Sequence, residues 1–474
     1  MVLWDCERML YVADPKALHH ILLKDEQIYP ESNQTIVLNS LLLGPGLLST
    51  LGELHKRQRR MLNPAFSVSH IRSMLPLFYE IVHKLRNAIK SEVVNGAKEV
   101  DILNWMGRVG LELIGQGGFG YSFDPLVADV QDDYGYALKS FSTHLQGISA
   151  WLRLLPYFVH IGPPCFRAWV TEIFPNPNVR GLKVVIDTMD RMSKEIYHAK
   201  QAAIQQGDEA TIHQVGEGKD IMSILMKANM TAAENDKLPQ SQLIAQMSTF
   251  TIAGMDTTSN ALSRTLQSLA KHPHVQDKLR EELLKSGAAE GIPYDDLNRL
   301  PLLDAVCRET LRLYPPATFV ARAPVQGVVL PLSEPIVGND GNTMSEVAIP
   351  KGTDLIISVL GCNANKALWG EDSFEWKPER WLSTLPKGVI EAGIPGAYSN
   401  LMTFMGGKRA CIGFKFSEME MKVVLAVLLS IFTFELTEKP IEWNVSGVSY
   451  PTVGKQSNKP SLPLRVRLFN DMAA

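Results

Sequence analysis

The sequence predicts a mainly α-helical chain with small β-sheets, and three observations predict it. Apolar residues recur at helical spacing through long segments in the middle of the chain. Strand-like runs are confined to the start, to residues 325–359 and to the tail. Hydrophobic residues make up 45% and charged residues 20% of the chain, as in an ordinary folded protein with a sizeable core.

In chain order, Leu10-Tyr-Val-Ala-Asp-Pro15 reads as an early strand. Residues 56–61 are basic and helix-favouring. Residues 74–90 carry Leu75, Phe78, Ile81, Val82 and Leu85 on one helical face, and residues 105–114 and 179–203 show the same period. Residues 206–218 mix Gly, Gln, Glu and Asp and read as an exposed loop. Residues 243–269 form a long helical pattern of apolar and small residues. Another helix begins at Pro273, and one over 302–314 is stopped by Pro315-Pro316. Residues 325–359 are β-branched around Gly338-Asn-Asp-Gly-Asn342, a hairpin turn signal, and residues 432–469 alternate short β runs with Pro and Gly. With no fixed-period repeat and no linker, residues 1–474 read as a single large domain.

A net charge of −3 excludes a general nucleic-acid binder. The five cysteines (Cys6, Cys165, Cys307, Cys362, Cys411) form no CxxC pair, which points to a reducing compartment rather than a disulfide framework. Asn-x-Ser/Thr triplets at Asn33, Asn229 and Asn444 read as unglycosylated. No run reaches the ~18–20 apolar residues that span a bilayer, and the first eight residues lack the features of a signal peptide. The expectation is a soluble chain.

The segment that carries chemistry is Phe404-Met-Gly-Gly-Lys-Arg-Ala-Cys-Ile-Gly413. It is polar and glycine-rich up to Cys411, then becomes an apolar helix. A cysteine at a helix start sees the positive end of the helix dipole, which favours thiolate. Gly406, Gly407 and Gly413 leave room for close backbone approach to a large flat ligand. Arg409 puts a cation near the sulfur, suited to a carboxylate on that ligand.

Phe404, Gly407, Arg409, Cys411 and Gly413 match the F-x-x-G-x-R-x-C-x-G loop, and here the chain resembles the cytochrome P-450 family. The resemblance implies the P-450 fold, one heme b (iron protoporphyrin IX) and Cys411 as the axial ligand of its iron. Three further segments resemble the family's motifs. Glu309-Thr-Leu-Arg312 with Pro378-Glu-Arg380 matches the E-x-x-R helix and its arginine partner, a structural lock of Glu309, Arg312 and Arg380. Ala253-Gly-Met-Asp-Thr-Thr258 breaks helix rules in mid-helix, as functional sites do. It matches the family's oxygen-binding signature, with Asp256 and Thr257 relaying protons. His55 and Arg59 stand where the family has tryptophan and arginine; both are expected on a heme propionate, together with Arg322.

The resemblance further implies a monooxygenase that inserts one atom of dioxygen into an apolar small molecule. With no flavin or nicotinamide motif in the chain, electrons come from NADPH through a separate reductase, for which Lys56, Arg57 and Arg60 offer a basic docking face. Two alternatives stand beside it: a heme-thiolate isomerase or dehydratase, and an inactive heme-binding remnant. Substrate contacts are expected around residues 38–48, 141–159, 246–253 and 316–320. Terpenoids, aromatic xenobiotics and fatty acids all remain open as substrates. The motif style looks fungal, which suggests secondary metabolism. By the resemblance, an amino-terminal anchor and a first helix are expected ahead of the strand at which this sequence opens. Location is expected at the cytoplasmic face of the endoplasmic reticulum, with a peripheral membrane contact through residues 151–159, Trp169 and Phe174.

Overall fold

The computed structural model describes residues 9–127, 133–152, 154–206, 219–398, 400–457 and 459–469. Cys6 and residues 207–218 of the expected loop lie outside them. Eight helices matter here: α1 (Gly52–Leu62), α2 (Val68–Val93), α3 (Ile102–Leu113), α4 (Phe141–Gly147), α5 (Pro177–Gln206), α6 (Gln240–Lys271), α7 (Pro301–Leu313) and α8 (Phe414–Leu429). Among the described residues ten strands complete the framework: β1 (Leu10–Val12), β2 (Lys98–Asp101), β3 (Phe319–Arg322), β4 (Val328–Val337), β5 (Thr343–Ile349), β6 (Leu355–Ser358), β7 (Phe432–Leu436), β8 (Ile441–Asn444), β9 (Tyr450–Val453) and β10 (Pro463–Leu468).

Local chemistry sets these limits. Ser67 caps α2 by accepting from the His70 backbone N–H at 3.3 Å, and Asp101 caps α3 through Asn104 at 3.3 Å. Each cap extends its helix a few residues beyond the periodic core read from the sequence. The apolar face of α2 is buried from Ile71 to Val93. Burying a large aliphatic side chain stabilises by roughly 1.5–3 kcal/mol, so such a face outweighs the Pro76 inside the helix. After α3 the backbone widens into a π-helical turn, Ile114–Phe119, which ends at Gly120 in the left-handed region. Asn342 closes the β4–β5 hairpin, its carbonyl accepting from Gly338 N–H at 2.8 Å.

The chain divides into two compact units. The first holds the described residues up to Ile36 together with Arg308–Cys411. It contains the sheet β1-β6-β3, in which β6 pairs parallel with β1 and antiparallel with β3, and the β4–β5 hairpin. The second holds Val37–Cys307 and the residues from Ile412 onward. Its sheets are β2-β10-β7 and β8-β9, all antiparallel. Its core is helical: α6 packs on α3 and α5, α8 packs on α2, and α8 is buried almost throughout. Among the described residues no helix is long and apolar enough to cross a membrane.

Sequence periodicity missed the helix Asn33–Leu43 and the short helices between Asp133 and Ile173. The first has apolar residues all round it and the others are mostly shorter than two turns, so neither yields a one-sided stripe.

Candidate active site

In the first unit, the cysteine loop is held by its own backbone. Cys411 N–H donates to the Phe404 carbonyl at 2.9 Å, and Ala410 N–H to Gly407 at 3.1 Å. Phe404 packs edge-to-face on Tyr398 with ring centres 5.6 Å apart. Met405 sits in the left-handed region at φ 49°, pinned by backbone bonds to Ala397 and Met402 at 2.8 Å each. Cys411 is exposed. It stands two residues before Gly413, the cap of α8, and so just ahead of the helix start that the sequence suggested.

Two of the loop glycines sit against the backbone of other segments. Gly407 has φ 75°, and a β-carbon there would strike the Leu22 carbonyl; one at Gly406 would lie 2.5 Å from the Pro395 carbonyl. A β-carbon at Gly413 would meet nothing within 4 Å.

Two arginines converge on one carboxylate that the sequence did not flag. Arg409 Nε pairs with Glu31 Oε1, and Arg322 Nη2 lies 3.6 Å from the same oxygen. Burial opposes ionisation of Glu31, yet Arg322 and Arg409 outweigh it and hold its carboxyl below the usual range. Two guanidiniums against one carboxylate leave a net positive charge. An accessible thiol beside such a surplus fits an iron porphyrin with acidic side groups.

The expected lock is built as a network. Glu309 receives Arg312 Nε at 2.8 Å and Nη2 at 2.7 Å, and neither side chain has any exposure. Lys377 N–H donates to it at 3.0 Å and Trp381 Nε1 at 2.9 Å, with Arg380 Nε at 3.5 Å. Arg312 also donates to the Asn363 and Ser373 carbonyls at 3.0 and 2.7 Å. The buried charges are therefore paired and hydrogen-bonded.

In the second unit, α6 carries the rule-breaking segment for visible reasons. A β-carbon at Gly254 would come within 3.2 Å of Ile114, so the small residue lets α6 close on the π-helical turn. Thr257 Oγ1 donates to the Ala253 carbonyl at 2.7 Å. Asp256 accepts from Ser142 Oγ at 2.6 Å and Asn260 Nδ2 at 3.1 Å. Burial pushes the Asp256 carboxyl up, against the opposing pull of those two donors. Thr258 shares a 2.7 Å hydrogen bond with Ser417 of α8. On α1, His55 is buried and Arg59 half-buried, four residues apart and so on one face. The neighbouring basic residues are partly committed: Arg60 pairs with Asp236 at 2.8 Å and Lys56 with Glu53 at 3.5 Å.

Four residues escaped the sequence reading: Glu31, Ser142, Asn260 and Glu420. Glu420 of α8 is buried with no hydrogen-bond partner on either oxygen, and burial pushes its carboxyl well up. A glutamate inside an otherwise apolar helix was the available signal for it. Glu31 and Ser142 carried none, because their partners are remote in sequence.

The fold is of the mainly α class, and the cysteine loop fits a heme held through sulfur. The chain belongs to the cytochrome P450 family, whose model, described as "Cytochrome P450", matches residues 2–456. It is 60% identical over 461 residues to cytochrome P450 monooxygenase 81 of Postia placenta, covering 97% of this chain and 84% of that protein. It is 50% identical over 470 residues to a ganoderic acid synthetase of Ganoderma lucidum, covering 97% and 85%. A crystal structure of a cytochrome P450 superposes with a TM-score of 0.71 at 22% identity, over 97% of this chain and 88% of that one, which shows the fold. The protein is a heme-thiolate monooxygenase with heme b as cofactor, dioxygen and an organic molecule as substrates, and a redox partner. Relatives named as monooxygenases support this activity over the isomerase, dehydratase and inactive-remnant alternatives.

Proposed function

We propose that the whole chain, residues 1–474, acts as one heme domain that oxidises an apolar small molecule of secondary metabolism, with electrons from NADPH–cytochrome P450 reductase. The observation that carries this reading is the cysteine loop, with an accessible Cys411 on a pinned backbone and two arginines sharing Glu31. Cys411 would hold the heme iron through its sulfur. Arg409, Arg322, His55 and Arg59 would hold the heme's acidic side groups, while Phe404, Gly407 and Gly413 would shape the cysteine loop. Bound heme supplies dioxygen activation, with thiolate donation favouring O–O cleavage.

The chain's own residues manage protons. Asp256 is a carboxyl whose affinity for protons is raised by burial, which suits a group that takes up and passes on a proton. Thr257 donates to Ala253, which leaves its oxygen lone pairs to accept a proton donor. Lys56, Arg57 and Arg60 offer a basic face to an acidic reductase. The ganoderic acid synthetase, half identical to this chain, supports secondary metabolism as the setting.

The site of action is the cytoplasmic face of the endoplasmic reticulum, touched peripherally. Trp151, Tyr157, Phe158 and Trp169 are all more than half exposed, which favours a surface role over lining a channel. Aromatic side chains of this kind suit the bilayer interface. Turnover of a library of terpenoid, aromatic and fatty-acid substrates with reductase, NADPH and labelled dioxygen tests the reading. One labelled oxygen atom in an organic product is the expected result. NADPH-independent conversion without label would overturn it.

A further inference from the structure

We propose that Ser142 is a positioning residue for proton delivery, holding the Asp256 carboxylate and tying the acid on α6 to the placement of α4. This rests on the reading of Asp256 and Thr257 as proton-relay residues.

The two donors on Asp256 differ in kind. Asn260 lies four residues along the same helix, so it moves with Asp256 whatever else shifts. Ser142 comes from α4, 114 residues away in sequence, and its Oγ stands 2.6 Å from Oδ2. It is buried, so water does not readily replace it. α4 is in turn seated on α5, where His144 Nδ1 is 3.1 Å from Asn178 Oδ1. α4 also opens the 141–159 segment expected to meet substrate. A ligand that moves α4 therefore changes the hydrogen bonding of one carboxylate on α6.

The surrounding charges do not substitute for this contact. On α3, Arg108 is bound to Asp124 at 2.6 Å, and Glu112 accepts from the Phe123 and Asp124 N–H groups at 2.9 and 2.7 Å. Lys139, in the short helix before α4, bonds Asn104. Lys194 of α5 pairs with Asp190 at 2.6 Å. Glu420 of α8 faces the α6 backbone at Met255 across Gly110. The influences on Asp256 are burial first, then Ser142, then Asn260.

The sign follows. Burial raises the proton affinity of Asp256 and the Ser142 bond lowers it, so removing the hydroxyl lets the carboxyl keep its proton to higher pH. In holoenzyme with reductase, Ser142→Ala is expected to lower product per NADPH about tenfold. That is a fraction of the roughly 10²–10⁴-fold that a lost general acid costs. The alkaline limb of the coupling profile moves upward. In ferric holoenzyme the Asp256 carboxyl infrared band, assigned by its loss in Asp256→Asn, shows a raised titration midpoint. Ser142→Thr, which keeps a donor, restores both. Should Ser142→Ala load heme poorly, Ser142→Cys, near in size and a weak donor, carries the same comparison. In an Asp256→Asn background Ser142→Ala adds no further loss. If Asp256→Asn itself leaves coupling intact, the relay reading fails and this inference with it. If Asp256→Asn collapses coupling while Ser142→Ala keeps the wild-type limb and infrared midpoint, only the role of Ser142 is overturned.

Discussion

Thr257 spends its hydroxyl proton on the Ala253 carbonyl, so the residue fixes an oxygen in place as much as it offers a proton. Thr257→Ala should therefore keep heme and substrate binding but divert reducing equivalents into hydrogen peroxide. Product and peroxide per NADPH measure this, with general acid–base assistance typically worth roughly 10²–10⁴-fold. Unchanged product yield would remove Thr257 from the relay. At this scale the sequence was informative where chemistry is local: Cys411, Asp256 and Thr257 stand in short motifs. It was silent where the partner is remote. Glu31 meets Arg409 across 378 residues and Ser142 meets Asp256 across 114, and no spacing rule reaches that far. The loop glycines were legible as residue types, but the remote backbone that Gly407 and Gly406 pack against, at Leu22 and Pro395, was not.

The element that fixes the first unit is the end of α7. Glu309 and Arg312 are fully buried, and each satisfies several partners around Asn363, Ser373, Lys377 and Trp381. Removing either partner strands a buried charge at a cost of roughly 3–5 kcal/mol, against a typical folding free energy of about 5–15 kcal/mol. Glu309→Ala or Arg312→Ala should therefore abolish heme-loaded folded protein, read from heme content and Tm; normal values would make the pair dispensable. Nearby Asp372 tests the same corner by pH. Hydrogen bonds from Lys377 and Arg380 bring its carboxyl down to about 2 from 3.8. A depressed folded value means that its stabilisation is fully present above 3.8 and is lost as pH falls through about 2. Its side chain is a third exposed, so screening keeps the effect small. Acid unfolding of Asp372→Asn should lose part of the pH dependence in that window, and an identical curve would contradict it. Long helices were legible because their buried faces repeat at 3.6 residues, and the β4–β5 hairpin because Asn-Asp-Gly marks its turn. The helices between Asp133 and Ile173 are mostly of one or two turns, too short to show a period.

At the scale of the whole molecule, the fold class could be read because core helices dominate the composition, whereas its division into two compact units left no linker in the sequence. The exposed aromatic residues of the 151–169 region bear on where the molecule works. Liposome flotation of the chain, compared with a Trp151→Ser, Tyr157→Ser, Phe158→Ser variant, should show weak, salt-tolerant binding that the substitutions remove. Equal behaviour of the two would leave the patch without a membrane role. The central claim, that Cys411 binds a heme iron through sulfur, is tested most directly by the absorption spectrum of the reduced protein with carbon monoxide. A strongly red-shifted Soret band that is absent in Cys411→Ala is the expected result; a band typical of imidazole ligation, or one unchanged by that substitution, would contradict sulfur ligation.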